Sequence, residues 1–226
     1  MEEMIFLVLI ILSLFSIYCF YKIFDKKGLI YSMILLDILA FILTFKITIV
    51  FKTTLNLGII PLIASFTAIY IIIYIQGNKE INKCIKLTLC SNITFAILLI
   101  LINYLIPAIT ETVSINIEGT FGYNYKLLIL YPFIIAASQY LIGKIYTLVT
   151  QIQNNLFLSI SVTYIIVAVV SILLYYVLGY INIMSFRDSI FVGISSYIMG
   201  LIITLINIIF AYINIKKKVI KWITSF

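Results

Sequence analysis

Apolar residues in this chain neither alternate nor fall into stripes; they come in runs. Seven runs, Met4 to Tyr21, Leu29 to Phe51, Leu57 to Ile75, Leu87 to Ile106, Leu127 to Val149, Leu156 to Ile181 and Ile190 to Ile213, carry almost no charge. Their lengths match the ~20 residues with which an α-helix crosses a bilayer. A barrel strand would turn every second side chain to a polar lumen, and a lone strand would leave its backbone unpaired in lipid. The expectation is an all-α, polytopic membrane protein of about seven transmembrane helices, although 17 Tyr, 16 Phe and abundant isoleucine would favour strands in water. An N-terminal helix and loop (1–28) precede two three-helix halves (29–106 and 127–215), which are separated by an external loop (107–126) and followed by a basic tail (216–226). Three is odd, so the halves would have opposite topologies, as in an inverted repeat. Small residues suited to close helix approach stand at Ala136, Ala137 and Ser138, and at Gly193, Ser196 and Gly200.

Composition strengthens this picture. Of 226 residues, 64% are hydrophobic and 10% charged, where a soluble domain carries roughly 25% charged. The bases stand in clusters beside the runs: Lys22, Lys26, Lys27; Lys79, Lys83, Lys86; Lys216, Lys217, Lys218, Lys221. That is the habit of cytoplasmic membrane loops touching anionic headgroups, not of a nucleic-acid surface. Counted loop by loop from an external N-terminus, those clusters and Lys144 put eleven bases inside, against Lys46, Lys52, Lys126 and Arg187, four, outside. The excess predicts a multi-pass cell-membrane protein with its N-terminus outside and its C-terminus cytoplasmic; six helices would turn one basic cluster outward. Glu2 and Glu3 replace the basic start of a signal peptide and no small-residue cleavage site follows, so the first run reads as a retained helix. Cys19, Cys84 and Cys90 form no CxxC and read as free thiols.

The same arithmetic removes most catalysis. With no histidine there is no Ser-His or Cys-His nucleophile and no HExxH zinc site. No GxxxxGK[ST] loop, metal-ligand cluster or close carboxylate pair occurs. The chain reads as no enzyme, with no cofactor or metal implied, and transport through it would draw on a gradient or on a separate ATPase subunit.

Charges inside the runs are the candidates for chemistry, because each costs at least ~2.5 kcal/mol in hydrocarbon. Asp37 is the deepest, eight residues or about 12 Å into the second run. It reads as one half of an ion pair with Lys144, near the cytoplasmic end of the fifth run, or as a proton-coupling carboxylate. Lys46 stands nine residues on, on the opposite helix face, and is able to snorkel outward. Tyr70 and Tyr74, four apart on one face of the third run, offer stacking surfaces for a planar ligand. Neutral hydrogen-bonding groups occur at Asn92, Asn103, Tyr140, Thr163, Tyr164, Tyr197 and Asn207. The external loop, with Glu111, Glu118, Gly119 and Gly122, serves as a connector or as a lid over an outer vestibule.

One stretch carries a family likeness. Phe24, Lys27-Gly28-Leu29, Leu39-Ala40, Lys46, Phe51, Leu57-Gly58, Ser65-Phe66 and Gly77-Asn78-Lys79-Glu80 occur at the spacing of the queuosine-precursor transporters, once grouped as putative vitamin-uptake transporters; the last four residues are similar to that family's YGKKEA signature. Tyr140-Leu141-Ile142, Thr163, and Tyr197 with Phe210 and Tyr212 extend the resemblance along most of the chain. It implies a secondary transporter for a small planar heterocycle, bound between the second, third and fifth or sixth helices by Lys46, Tyr70, Tyr74, Thr163 and Asn207. Most of the family's polar positions are replaced: its Asn and Gln before the lysine read Phe41 and Leu43, its Glu after it Ile49, its Thr-Asp Ile69-Tyr70, its next Glu Tyr74. The places of its later Arg, Gln and Asp fall among Leu158, Val167 and Val170. Each unmade hydrogen bond forfeits ~1–3 kcal/mol, so the resemblance implies a more neutral substrate than the family's amine-bearing one. The alternative is a non-transporting membrane subunit or scaffold, or the membrane-spanning partner of a separate ATPase; the partners expected are the lipid bilayer, a small-molecule substrate, and a second copy of the chain or an ATPase subunit.

Overall fold

A computed structural model describes residues 2–103, 125–153, 155–172, 174 and 185–223. The order is α1 (Glu2–Thr44), β1 (Ile47–Val50), β2 (Thr53–Asn56), α2 (Ile59–Gln76), α3 (Asn78–Asn103), α4 (Tyr125–Ile152), α5 (Leu156–Ile172) and α6 (Phe186–Ile223). The protein is helical, and five of these helices, all but α5, are long and apolar enough to cross a membrane. They are apolar all round, so the outward faces carry Ile11, Phe15, Leu98, Leu101, Phe133 and Ile209, each more than half exposed. Such a surface suits hydrocarbon and not water.

Helix α1 is two helices joined at Asp25, whose φ of 51° and ψ of −132° are non-helical. The chain folds back there. Gly28 abuts the backbone carbonyl of Phe20, where any β-carbon would collide. At the far ends of the two arms, the Phe6 ring stands 6.1 Å from that of Phe51, just beyond the second arm. The two arms therefore run antiparallel, as the break between the first two apolar runs predicts.

The second run was expected to stay helical to Phe51, but the helix stops at Thr44. Residues 47–56 instead form an antiparallel hairpin, Ile47 opposite Asn56 and Val50 opposite Thr53. Six of its ten residues are β-branched, and pairing with each other lets the strands satisfy their own backbones. Phe51 and Lys52 make the turn with φ of 50° and 61°, the sign a two-residue hairpin turn requires. Asn56, buried, ties the junction: its Nδ2 donates to the Thr44 carbonyl at 2.8 Å, and its Oδ1 accepts from the Gly58 amide at 2.7 Å. Its own amide donates to Ser196 Oγ of α6 at 3.3 Å.

Other boundaries also differ from the runs. Helix α3 starts at Asn78, nine residues before Leu87, because Gly77, at φ 80°, is enough to turn the chain from α2. Helix α6 continues to Ile223 through the lysines expected in a tail, since lysine is a good helix former. The lid or connector residues Glu111, Glu118, Gly119 and Gly122, the end of the sixth run, the side chains of Asn103 and Tyr212, and those of Lys216, Lys217, Lys218 and Lys221 lie outside the described residues.

Helix α2 is the innermost, with 67% of its residues buried, and α1, α3, α4 and α6 pack around it. The main core joins all six helices, and a smaller one collects Phe41, Phe95, Leu128 and Tyr131 near the hairpin end. There Phe41 stacks on Tyr131 at 4.4 Å between centroids. At the opposite end Gln76 Nε2 donates to the Lys26 carbonyl at 3.2 Å, and Gly143 faces Ile81. The bases therefore separate by end: Lys22, Lys26, Lys27, Lys83, Lys86 and Lys144 at one, Lys46 and Lys52 at the other.

Candidate functional site

Asp37 is fully buried in the second arm of α1. Its Oδ2 accepts a 2.6 Å hydrogen bond from Gln139 Nε2 on α4, and Gln139 Oε1 accepts one of 2.9 Å from Thr88 Oγ1 on α3. Thr88 Oγ1 also lies 3.0 Å from the Ile85 carbonyl. Ser65 of α2 lies beside the same carboxyl, but its hydroxyl is turned to the Leu62 carbonyl at 2.9 Å, and Asp37 Oδ1 is left without a hydrogen bond. Rotation of that hydroxyl would supply one. Four helices thus meet in a single buried polar chain of Asp37, Gln139, Thr88 and Ser65.

The expected partner was Lys144, and the structure does not make that pair. Lys144 is exposed on α4, five residues past Gln139, with Nζ 5.6 Å from the centre of the Tyr140 ring. Five residues turn a helix by about 500°, so Lys144 and Gln139 point to different faces. Gln139 takes the inward place. Among the described residues the one ion pair is Lys83–Glu80, an exposed 2.8 Å contact.

Next to this chain is a cavity of about 50 Å³ bounded by α2, α4, α5 and the hairpin junction. Leu62, Phe66, Ile134 and Ile135 make it chiefly apolar, and Tyr131, Tyr164, Ser138, Ser171 and Asn56 contribute the polar atoms. Ser138 and Ser171 bond each other at 2.6 Å across α4 and α5. The Tyr164 hydroxyl is pressed against Gly200, with Thr204 beside it. Ser138 adjoins Gln139 in sequence and Phe66 adjoins Ser65, so cavity and polar chain share the same turns of α4 and α2.

The expected ligand residues are dispersed. Lys46 is exposed between α1 and β1, where its backbone amide donates to Leu43 and its carbonyl accepts from Leu57. Tyr74 is half exposed at the end of α2. Tyr70 is buried, its ring 5.2 Å from that of Tyr146 on α4, and its hydroxyl has no partner. Thr163 is buried and donates to the Ser159 carbonyl at 2.7 Å. Asn207 is buried on α6 with neither amide atom hydrogen-bonded, as is Asn92 on α3. The structure brings Tyr70 to Tyr146 and leaves all five, Lys46, Tyr70, Tyr74, Thr163 and Asn207, off the cavity wall. Sequence reasoning passed over Gln139 and Thr88, and named Ser65 only as part of the family likeness. An amide in an apolar run at a depth comparable to that of Asp37 was the available signal.

Comparison of the chain with family models, with curated proteins and with solved structures finds no match to any of them.

Proposed function

We propose that the chain is a multi-pass secondary transporter of a small, planar, largely neutral molecule, similar in plan to the queuosine-precursor transporters. The arms of α1 and the five further helices act as seven spans, the N-terminus outside and the basic end in the cytoplasm. The separation of bases between the two ends supports this orientation. Two three-helix halves rock about the layer that holds Asp37, opening the cavity alternately to each side.

The observation that carries the reading is Asp37 itself. It is fully buried among helices, bonded to a neutral amide instead of a cation, with one oxygen unsatisfied. A transporter uses such a costly group as the carrier of a coupling proton. The apolar cavity with aromatic and hydroxyl groups at its edge suits a neutral ring. Tyr70 and Tyr146 pair with each other on α2 and α4, outside the cavity wall.

The test is uptake in proteoliposomes under an imposed proton gradient, after a thermal-shift screen of purified protein against purines, deazapurines and vitamins has named a ligand. Asp37→Asn is expected to keep the fold and ligand binding but to abolish gradient-driven accumulation. Full accumulation by the variant overturns the coupling role, and no stabilisation by any heterocycle overturns the substrate class. A non-transporting membrane subunit is the second reading, favoured by the dispersal of Lys46, Tyr74 and Thr163 away from the cavity. Co-purification with an ATPase, with no ligand response, would establish it.

A further inference from the structure

Between α3 and α4, at the basic end, lies an open groove of about 250 Å³, lined by Ile81, Asn82 and Ile85 on one side and Tyr140, Gly143, Lys144 and Gln151 on the other. Lys144 stands eight residues before the end of α4, about 12 Å along the helix. A lysine at that depth in an apolar helix needs an anion, water or a route to the headgroups. It stands against the Tyr140 ring. The described acids are committed or distant in the fold: Asp37 to Gln139, Glu80 to Lys83, Glu2, Glu3 and Asp188 to the other end, and Asp25 to the turn of α1. Lys86 stands on α3 one position beyond the groove-lining Ile85 and adds positive charge there.

The surroundings say what the anion is attached to. Leu148 of α4 lines the groove and is more than half exposed, and Ile152, one turn further along α4, is 85% exposed, so whatever enters it also meets hydrocarbon-facing side chains. The volume is that of roughly eight liquid waters, enough for a phosphate and its glycerol. Cationic pockets between helices at a cytoplasmic face are where anionic headgroups bind. We propose that this groove is a binding site for an anionic phospholipid, with the phosphate on Lys144, the headgroup hydroxyls on Asn82 and Gln151, and an acyl chain along the exposed apolar face of α3 and α4. The site is independent of whether the chain transports anything, so it survives or fails apart from the proposed function.

Native mass spectrometry of the detergent-purified full chain, titrated with phosphatidylglycerol, phosphatidylcholine or inorganic phosphate, tests it. The expected result is retention of phosphatidylglycerol over phosphatidylcholine, and about fivefold weaker retention in Lys144→Gln, the factor one lysine carries at an anionic surface. Lys144→Arg is expected to keep binding. Lys22→Gln, at the same end but away from the groove, is expected to leave it unchanged. Gly143→Leu fills the groove while leaving the lysine in place, since the nearest atom to a β-carbon there is Ile81 Cγ2 at 3.6 Å, and it is expected to expel the lipid even if Lys144→Gln fails to fold. Equal retention by Gly143→Leu or by a folded Lys144→Gln overturns the site. Equal loss in Lys22→Gln reduces it to diffuse charge, and binding of inorganic phosphate with no gain from the lipid overturns the lipid as occupant.

Discussion

Replacing Gln139 by leucine isolates what the Asp37 chain contributes. Gln139→Leu removes the 2.6 Å bond to Asp37 Oδ2 and the 2.9 Å bond from Thr88. Thr88 keeps the Ile85 carbonyl at 3.0 Å, so that side loses little. Asp37 Oδ2 loses its bond from Gln139 while Oδ1 already has none, and a fully buried acceptor left unsatisfied costs ~1–3 kcal/mol. Hydrogen bonds between membrane helices average only about 0.6 kcal/mol, because the unfolded chain finds other partners. Here the carboxyl is enclosed by four helices and its other neighbour, Ser65, is turned to Leu62, so a value near 2 kcal/mol is expected. Asp37→Leu alone leaves the Gln139 amide stranded and is expected to cost about 1–2 kcal/mol. In the double variant neither group remains to be satisfied, and the loss is expected to be smaller than either single loss. Reversible unfolding in mixed micelles of the four proteins measures this coupling. Single losses that add to the double loss within about 0.5 kcal/mol would refute the claim that this bond organises the bundle.

Three further outcomes are expected. Asn56→Ala removes the side-chain bonds to the Thr44 carbonyl and the Gly58 amide at a buried junction, and is expected to cost ~2–3 kcal/mol in the same unfolding assay; a loss under 0.5 kcal/mol would show that the hairpin holds without it. Gly200→Ala drives a β-carbon into the Tyr164 hydroxyl and is expected to lower the melting temperature, with Tyr164→Phe restoring most of the loss; no rescue would mean that the contact with Ile63 decides instead. In a cysteine-free background, single cysteines at Glu3 and Lys52 are expected to label from one side of the membrane and a cysteine at Lys26 from the other, as the folded-back α1 requires, and labelling of Glu3 and Lys26 from the same side would refute the antiparallel arms.

The sequence alone determined that the molecule is helical and apolar enough to cross a membrane, because the cost of burying charge or unpaired backbone in hydrocarbon depends on composition within a window of ~20 residues, but it did not fix where each helix begins and ends. It also located Asp37 as the costly group, and among the described residues Lys22, Lys26, Lys27, Lys83 and Lys86 do fall at one end. Window arithmetic cannot see that the Thr44 to Asn56 segment leaves the helix: Ile47 to Val50 is as apolar in a strand as in a helix, and the choice depends on Asn56 reaching Thr44, Gly58 and Ser196, the last 140 residues away. The partner of Asp37 was hidden for a related reason. Charge favours Lys144 on paper, but helix phase turns Gln139 inward and Lys144 outward, and which face of α4 is inward is settled by α2, α3 and α5 packing around it. The likeness to a transporter family picked out Lys46, Tyr74 and Thr163 by spacing along the chain. A site, by contrast, is made of side chains that converge in space, and here that convergence is of Asp37, Ser65, Thr88 and Gln139, drawn from four helices and brought together only by tertiary packing.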